Sequence, residues 1–123
     1  MTPDLAMTYC RMIARTLGPD QAGLEKLLAG TGIDAEALEH SDGFIDWPGA
    51  RQLIANALAL SDSPDTALRT GLRALPAMHG PMGMAAMASA TLRDAIKLFA
   101  RLNNTRTRVF SPRLEAVPYK HLR

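Results

Sequence analysis

The amino-acid sequence predicts a mainly α-helical fold, a compact multi-helix bundle, and three observations carry that expectation. Apolar residues recur at helical spacing along most of the 123 residues. Ser, Thr or Asp precedes the apolar runs, and Gly or Pro follows them. The composition is 47% hydrophobic but only 5% aromatic, rich in Ala, Leu and Met rather than in the residues that sheets favour.

The opening "TPDLAMTYCRMIARTLGP" reads as a helix with Thr2 as N-cap, Pro3 in its first position and Asp4 in its first turn. Leu5, Tyr9, Met12, Ile13 and Leu17 then share one face, and Gly18-Pro19 stops the helix. A second helix starts at Asp20 and carries Leu24, Leu27 and Leu28 to Gly30 or Gly32, and a short third is capped by Asp34. After the turn at Ser41-Asp42-Gly43, Asp46 caps a helix whose stripe is Leu53, Ile54, Ala57 and Leu58. Ser63-Pro64 begins another, with Leu68, Leu72 and Leu75 as its expected buried face and Arg69 and Arg73 outward. Pro76 closes it, and Gly80-Pro81 opens a small-residue helix through Ala90. Thr91 and Asp94 form an approximate capping box for the last long helix, where Leu92, Ala95, Ile96, Phe99 and Leu102 are expected to pack inward.

The segment from Thr105 onward holds two prolines and the pair Val109-Phe110, which suggests a strand or an extended arm. The expected organisation is therefore a helical body over residues 1–105 and a basic extended tail over 106–123. An open edge at Val109-Phe110 would invite dimerisation or strand exchange.

Charge is unevenly placed. Residues 1–100 hold eight Lys/Arg against eleven Asp/Glu, whereas residues 101–123 hold six against one. Cys10 is the only cysteine, and Asp4, Arg11 and Arg15 occupy the stretch where a signal peptide needs an apolar run. These features predict a reducing, cytoplasmic setting. The long uncharged run from Ala74 to Leu92 is broken by Pro76, Gly80, Pro81 and Gly83, which argues against a membrane span.

Chemistry is sparse. There is no GxSxG, no P-loop, no HExxH and no Cys–His spacing of a known type, so no catalytic residue is expected. Met78, His79, Met82, Met84 and Met87 could in principle hold copper(I) as a soft-metal sensor. Methionine at this spacing on an alanine-rich helix is ordinarily core filler, and no metal or other cofactor is expected. "GLEKLLAGTGIDAEALEH" has the outline of a helix-turn-helix, but its second helix presents Asp34, Glu36 and Glu39 and no cation, which phosphates would repel. A standalone helical protein–protein adaptor with a basic docking tail is the alternative from another class.

Taken in order, "LLAGTGIDAEAL", the segment around Asp62-Ser63-Pro64-Asp65 and Leu72, and "HGPMGMAAMASATLRDAIKLFAR" are specific in their spacing. His79-Gly80, Gly83, Ala88-Ser89, Thr91-Leu92-Arg93-Asp94-Ala95 and Arg101 occupy the last signature, with Asp94 where glutamate is usual. Over roughly residues 23 to 104 the chain resembles the amino-terminal effector and dimerisation domain of AraC/XylS-type bacterial transcription regulators.

The resemblance implies a cytoplasmic, non-enzymatic regulatory domain that senses a small molecule, forms a homodimer, or does both. DNA would be bound only through a double helix-turn-helix that 123 residues cannot also accommodate, so a fragment or a short member is expected. It also implies that Gly80, Gly83, Ser89, Thr91, Leu92, Asp94 and Ala95 are structural. Met82, Met84, Met87 and Phe99, with His79 at the rim, would wall an effector pocket.

Overall fold

The computed structural model describes residues 4–116. Its elements run β1 (Leu5–Ala6), α1 (Met7–Leu17), α2 (Gln21–Leu28), α3 (Ala35–His40), β2 (Phe44–Ile45), α4 (Trp47–Leu60) and α5 (Thr66–Leu72). A 3₁₀ turn (Pro76–His79), α6 (Pro81–Met87), α7 (Leu92–Leu102) and a second 3₁₀ turn (Asn103–Thr105) follow. The fold is mainly α, as the sequence predicts, and none of the described helices is long and apolar enough to cross a membrane.

Helix starts follow the local chemistry. The carboxylates of Asp20, Asp34 and Asp46 accept from the amides of Gly23, Ala37 and Gly49 at 2.8, 2.7 and 3.0 Å, opening α2, α3 and α4. Thr91 accepts from the Asp94 amide at 3.1 Å, and its hydroxyl donates to the Asp94 carboxylate at 2.7 Å, opening α7. Each such cap satisfies a helix-end donor and is worth about 1 kcal/mol.

The ends of α2 and α3 also receive long-range donors. Arg11 donates to the carbonyls of Leu38, Glu39 and Ser41 at 2.8, 3.2 and 2.9 Å, finishing α3 from α1. Asn56 does the same for α2 from α4, donating to the carbonyls of Leu27 and Ala29 at 2.9 and 2.8 Å. These bonds fix α2 and α3 against the two longer helices while satisfying carbonyls that a helix terminus leaves orphaned.

The core sits in the first half of the chain. Met7, Cys10 and Ala14 of α1 meet Leu27, Leu38, Ile45 and the Ala50-Leu53-Ala57 stripe of α4, with Leu5, Ile13, Leu24 and Leu60 packed around them. Cys10 is fully enclosed, and burial pushes its thiol pKa up to about 11, so at neutral pH it is a protonated apolar filler.

The chain's opening departs from the expected helix. Leu5 and Ala6 form β1, paired antiparallel with Ile45 and Phe44, and α1 begins only at Met7; Thr2 and Pro3 lie outside the described residues. On its other edge β1 meets the expected tail strand, but at Thr107 rather than at Val109-Phe110. Leu5 bridges Thr107, the Ala6 amide donates to the Arg106 carbonyl at 3.0 Å, and the Arg108 amide donates to the Asp4 carbonyl at 2.8 Å. Pairing on both sides outweighs the helical spacing of Leu5 and Tyr9.

Three expected faces are corrected as well. On α4, Leu53 and Ala57 are buried but Ile54 and Leu58 are exposed. On α5 the inward residues are Thr66 and Thr70, and Leu68 and Leu72 face solvent, as does Leu75 beyond it. On α7, Ala95, Phe99 and Leu102 are partly covered while Leu92 and Ile96 are exposed. Helical periodicity identifies an apolar stripe, and the neighbouring elements cover only one edge of it.

Candidate functional site

The second half of the chain is thinly packed, and its organising contact is between α6 and the 3₁₀ turn. A Cβ on Gly83 would lie 1.6 Å from the carbonyl oxygen of Pro76, so only glycine lets α6 cross the turn this closely. Met82, next to it, is 1% exposed and anchors the helix from inside.

This crossing presents His79 to α1 and α7. The Tyr9 hydroxyl and His79 Nδ1 are hydrogen-bonded at 2.7 Å, and the imidazole ring meets Phe99 edge-on at a centroid distance of 5.5 Å. Arg106, just past α7, completes the group. Its guanidinium carbon lies 5.9 Å from the centre of the Tyr9 ring, and its Nη2 donates to Thr8 Oγ1 at 3.2 Å and to the Met78 carbonyl at 3.4 Å. Gly80, with φ of 62°, leaves room for the guanidinium beside it.

The electrostatics of the cluster are lopsided. Arg106 meets a hydroxyl, a carbonyl and an aromatic face, and no carboxylate; its Nε is buried without a hydrogen-bond partner among the described residues. Burial, with the Arg106 charge adding to it, lowers the His79 pKa and keeps the ring neutral. Burial raises the Tyr9 pKa, an effect that Arg106 partly offsets. The result is a cation beside a neutral, mutually hydrogen-bonded phenol and imidazole with aromatic walls, an arrangement suited to hydroxyl or carboxylate oxygens.

A measurable pH dependence follows. Because the fold lowers the His79 pKa below the ordinary 6.5, the unfolded chain binds a proton that the folded one resists. The stability held above pH 6.5 is therefore lost as pH falls through the folded-state value. Thermal melts of wild type between pH 7.5 and 5.5 are expected to show a fall that His79→Gln reduces; equal falls in both proteins would refute the assignment.

Of the residues expected at a pocket, the structure brings together His79 and Phe99, and encloses Met82 behind them. Met84 and Met87 are 56% and 61% exposed on the outer side of α6. Grooves open to solvent lie elsewhere, one of about 620 Å³ along α7 between Leu92, Ile96 and Leu114. Tyr9, Thr8 and Arg106 were not singled out by the sequence pattern. Tyr9 reads as one apolar position on α1 and Arg106 as one cation of a basic tail.

With this geometry in place, comparison with known families is decisive. The arabinose-binding N-terminal domain of AraC transcription regulators matches residues 22–121. The chain belongs to that family. The matched span contains His79, Phe99 and Arg106, and Tyr9 and Thr8 lie just ahead of it. No curated protein and no solved structure matches the chain. Membership in the arabinose-binding family makes this an N-terminal regulatory domain of the AraC type, and its helical architecture agrees with the resemblance seen in the sequence.

Proposed function

We propose that this arabinose-binding-type domain is a cytoplasmic, non-catalytic sensor that pairs as a homodimer and binds a small polyhydroxylated effector, a sugar or sugar acid, while a separate domain contacts DNA. The helical body over 1–105 is the sensing unit, and the tail over 106–123 contributes Arg106. One observation carries the reading: α1, the 3₁₀ turn and the segment after α7 converge on a guanidinium that has no carboxylate partner among the described residues.

The effector's oxygens would take the Arg106 donors and the Tyr9–His79 pair, and its apolar face would rest against Phe99. Met82 holds α6 beneath the site, while Met84 and Met87 stay on the helix's outer side. A ligand that bridges Arg106 and His79 ties α1 to the α6–α7 layer. It therefore favours one helical arrangement over another, which is a population shift.

Isothermal titration with L-arabinose and small sugar acids tests the proposal, comparing wild type with Arg106→Gln. Loss of a charge-assisted hydrogen bond to a ligand oxygen is worth about tenfold or more in affinity. Saturable binding by wild type that weakens by at least that factor supports the site. Equal binding by both proteins, or no heat from wild type with any member of the panel at millimolar concentration, overturns it.

A further inference from the structure

Helix α5 is turned inside out relative to ordinary amphipathic packing. Its inward face is threonine: Thr66 is buried, Thr70 is half-buried and donates to the Thr66 carbonyl at 2.8 Å, and the helix lies against α1. Its outward face is Ala67, Leu68, Gly71 and Leu72, and Leu68 and Leu72 are 66% and 76% exposed. Leu75 extends this apolar surface, and on the α4 side it continues through Leu58 and Ile54, which line a groove of about 200 Å³ with Ile13 and Ala67.

We infer that this face is where a second copy of the chain docks, through a two-fold antiparallel contact between the two α5 helices. The inference rests on the pairing proposed above and assigns it a surface. Two observations select a second copy as the occupant.

Area is the first. The five side chains expose on the order of 400 Å² of apolar surface, the size of the largest apolar patch on a typical soluble protein, which is often an interaction site. Doubled across a two-fold axis, that is on the order of 800 Å², enough for the apolar part of an interface above the ~1,000 Å² that specific contacts need.

Charge is the second. Asp62 and Asp65 stand at the start of α5, and Arg69 and Arg73 toward its end. All four are exposed, and none takes part in either ion pair of the described residues, Arg11–Asp42 and Arg15–Glu39. An antiparallel neighbour sets the acidic start of one helix beside the basic end of the other, at both ends of the contact at once. A parallel neighbour would set like against like. Centring the pair near Thr70 places Leu68 against Leu72 of the other copy, with Asp65 within reach of the opposing Arg73. An isologous contact repeats every such pairing twice.

Light scattering coupled to size exclusion, with sedimentation to obtain a dissociation constant, tests the face on the chain as it is. Wild type should run as a dimer and L68E/L72E as a monomer with an unchanged far-UV circular dichroism spectrum, since both leucines already face solvent. R73D should weaken dimerisation by about tenfold through like-charge contact with Asp65, and D65R/R73D should restore it. A wild-type monomer at high concentration overturns this inference and the pairing reading together. A wild-type dimer that L68E/L72E leaves intact overturns this face alone. Failure of D65R/R73D to restore what R73D weakens overturns the antiparallel arrangement.

Discussion

Replacing Gly83 with alanine is expected to lower the thermal midpoint by roughly 10 °C or more, the equivalent of about 2–3 kcal/mol in a domain of this size. The added Cβ would lie 1.6 Å from the Pro76 oxygen and 2.5 Å from the Pro76 carbonyl carbon. Both are backbone atoms, so no side chain can swing aside, and α6 must lift from the 3₁₀ turn. That turn holds His79 and the Met78 carbonyl, so the variant should also loosen the Tyr9–His79–Arg106 cluster. Differential scanning calorimetry reports the first effect and the pH dependence of melting the second. A variant melting within about a degree of wild type would show that close approach is not what the glycine provides.

The second large effect is expected in the other half of the chain. Leu53 is 0% exposed at the centre of the core, and Leu53→Ala should destabilise by about 2–5 kcal/mol through lost burial and the cavity left behind. Leu72→Ala, on an equally leucine-rich helix, should change the stability of the isolated subunit by no more than about 0.5 kcal/mol, because that side chain is already in water. Urea unfolding below the concentration at which subunits pair separates the two. Equal costs would mean that Leu72 is as enclosed as Leu53 and that α5 turns its leucines inward after all.

The contrast between those two leucines also marks what was legible in the sequence. Caps were legible because they are local. Asp20, Asp34, Asp46 and Thr91 each bond within three residues, and their helices start where those residues stand. The direction a stripe faces was not legible for α5. Leu68 and Leu72 share one side and Thr66 and Thr70 another, and spacing alone awards the core to the leucines. Only the placement of α1 against the threonines turns the helix the other way.

The two-residue strand β1 was hidden for a related reason. Its partners are some forty and one hundred residues away, and nothing in "DLAMT" announces them. The site was half-visible. His79 and Phe99 belong to a signature stretch, whereas Tyr9 and Arg106 acquire meaning only when 70 residues separate the phenol from its imidazole partner and 98 separate Thr8 from the guanidinium.

The double pairing of β1 bears on how the molecule is made. Asp4 bonds to Ile45 and Arg108, and Ala6 to Arg106, so β1 is stitched into place by residues some forty and one hundred positions further along the chain. On the ribosome, α1 to α4 can gather their shared core once the chain through Leu60 has emerged. β1 then keeps one open edge, with unpaired amides and carbonyls, until translation has passed Arg108. Over that interval the open edge is a template for pairing with neighbouring chains, and its closure by residues 106–108 ends that exposure.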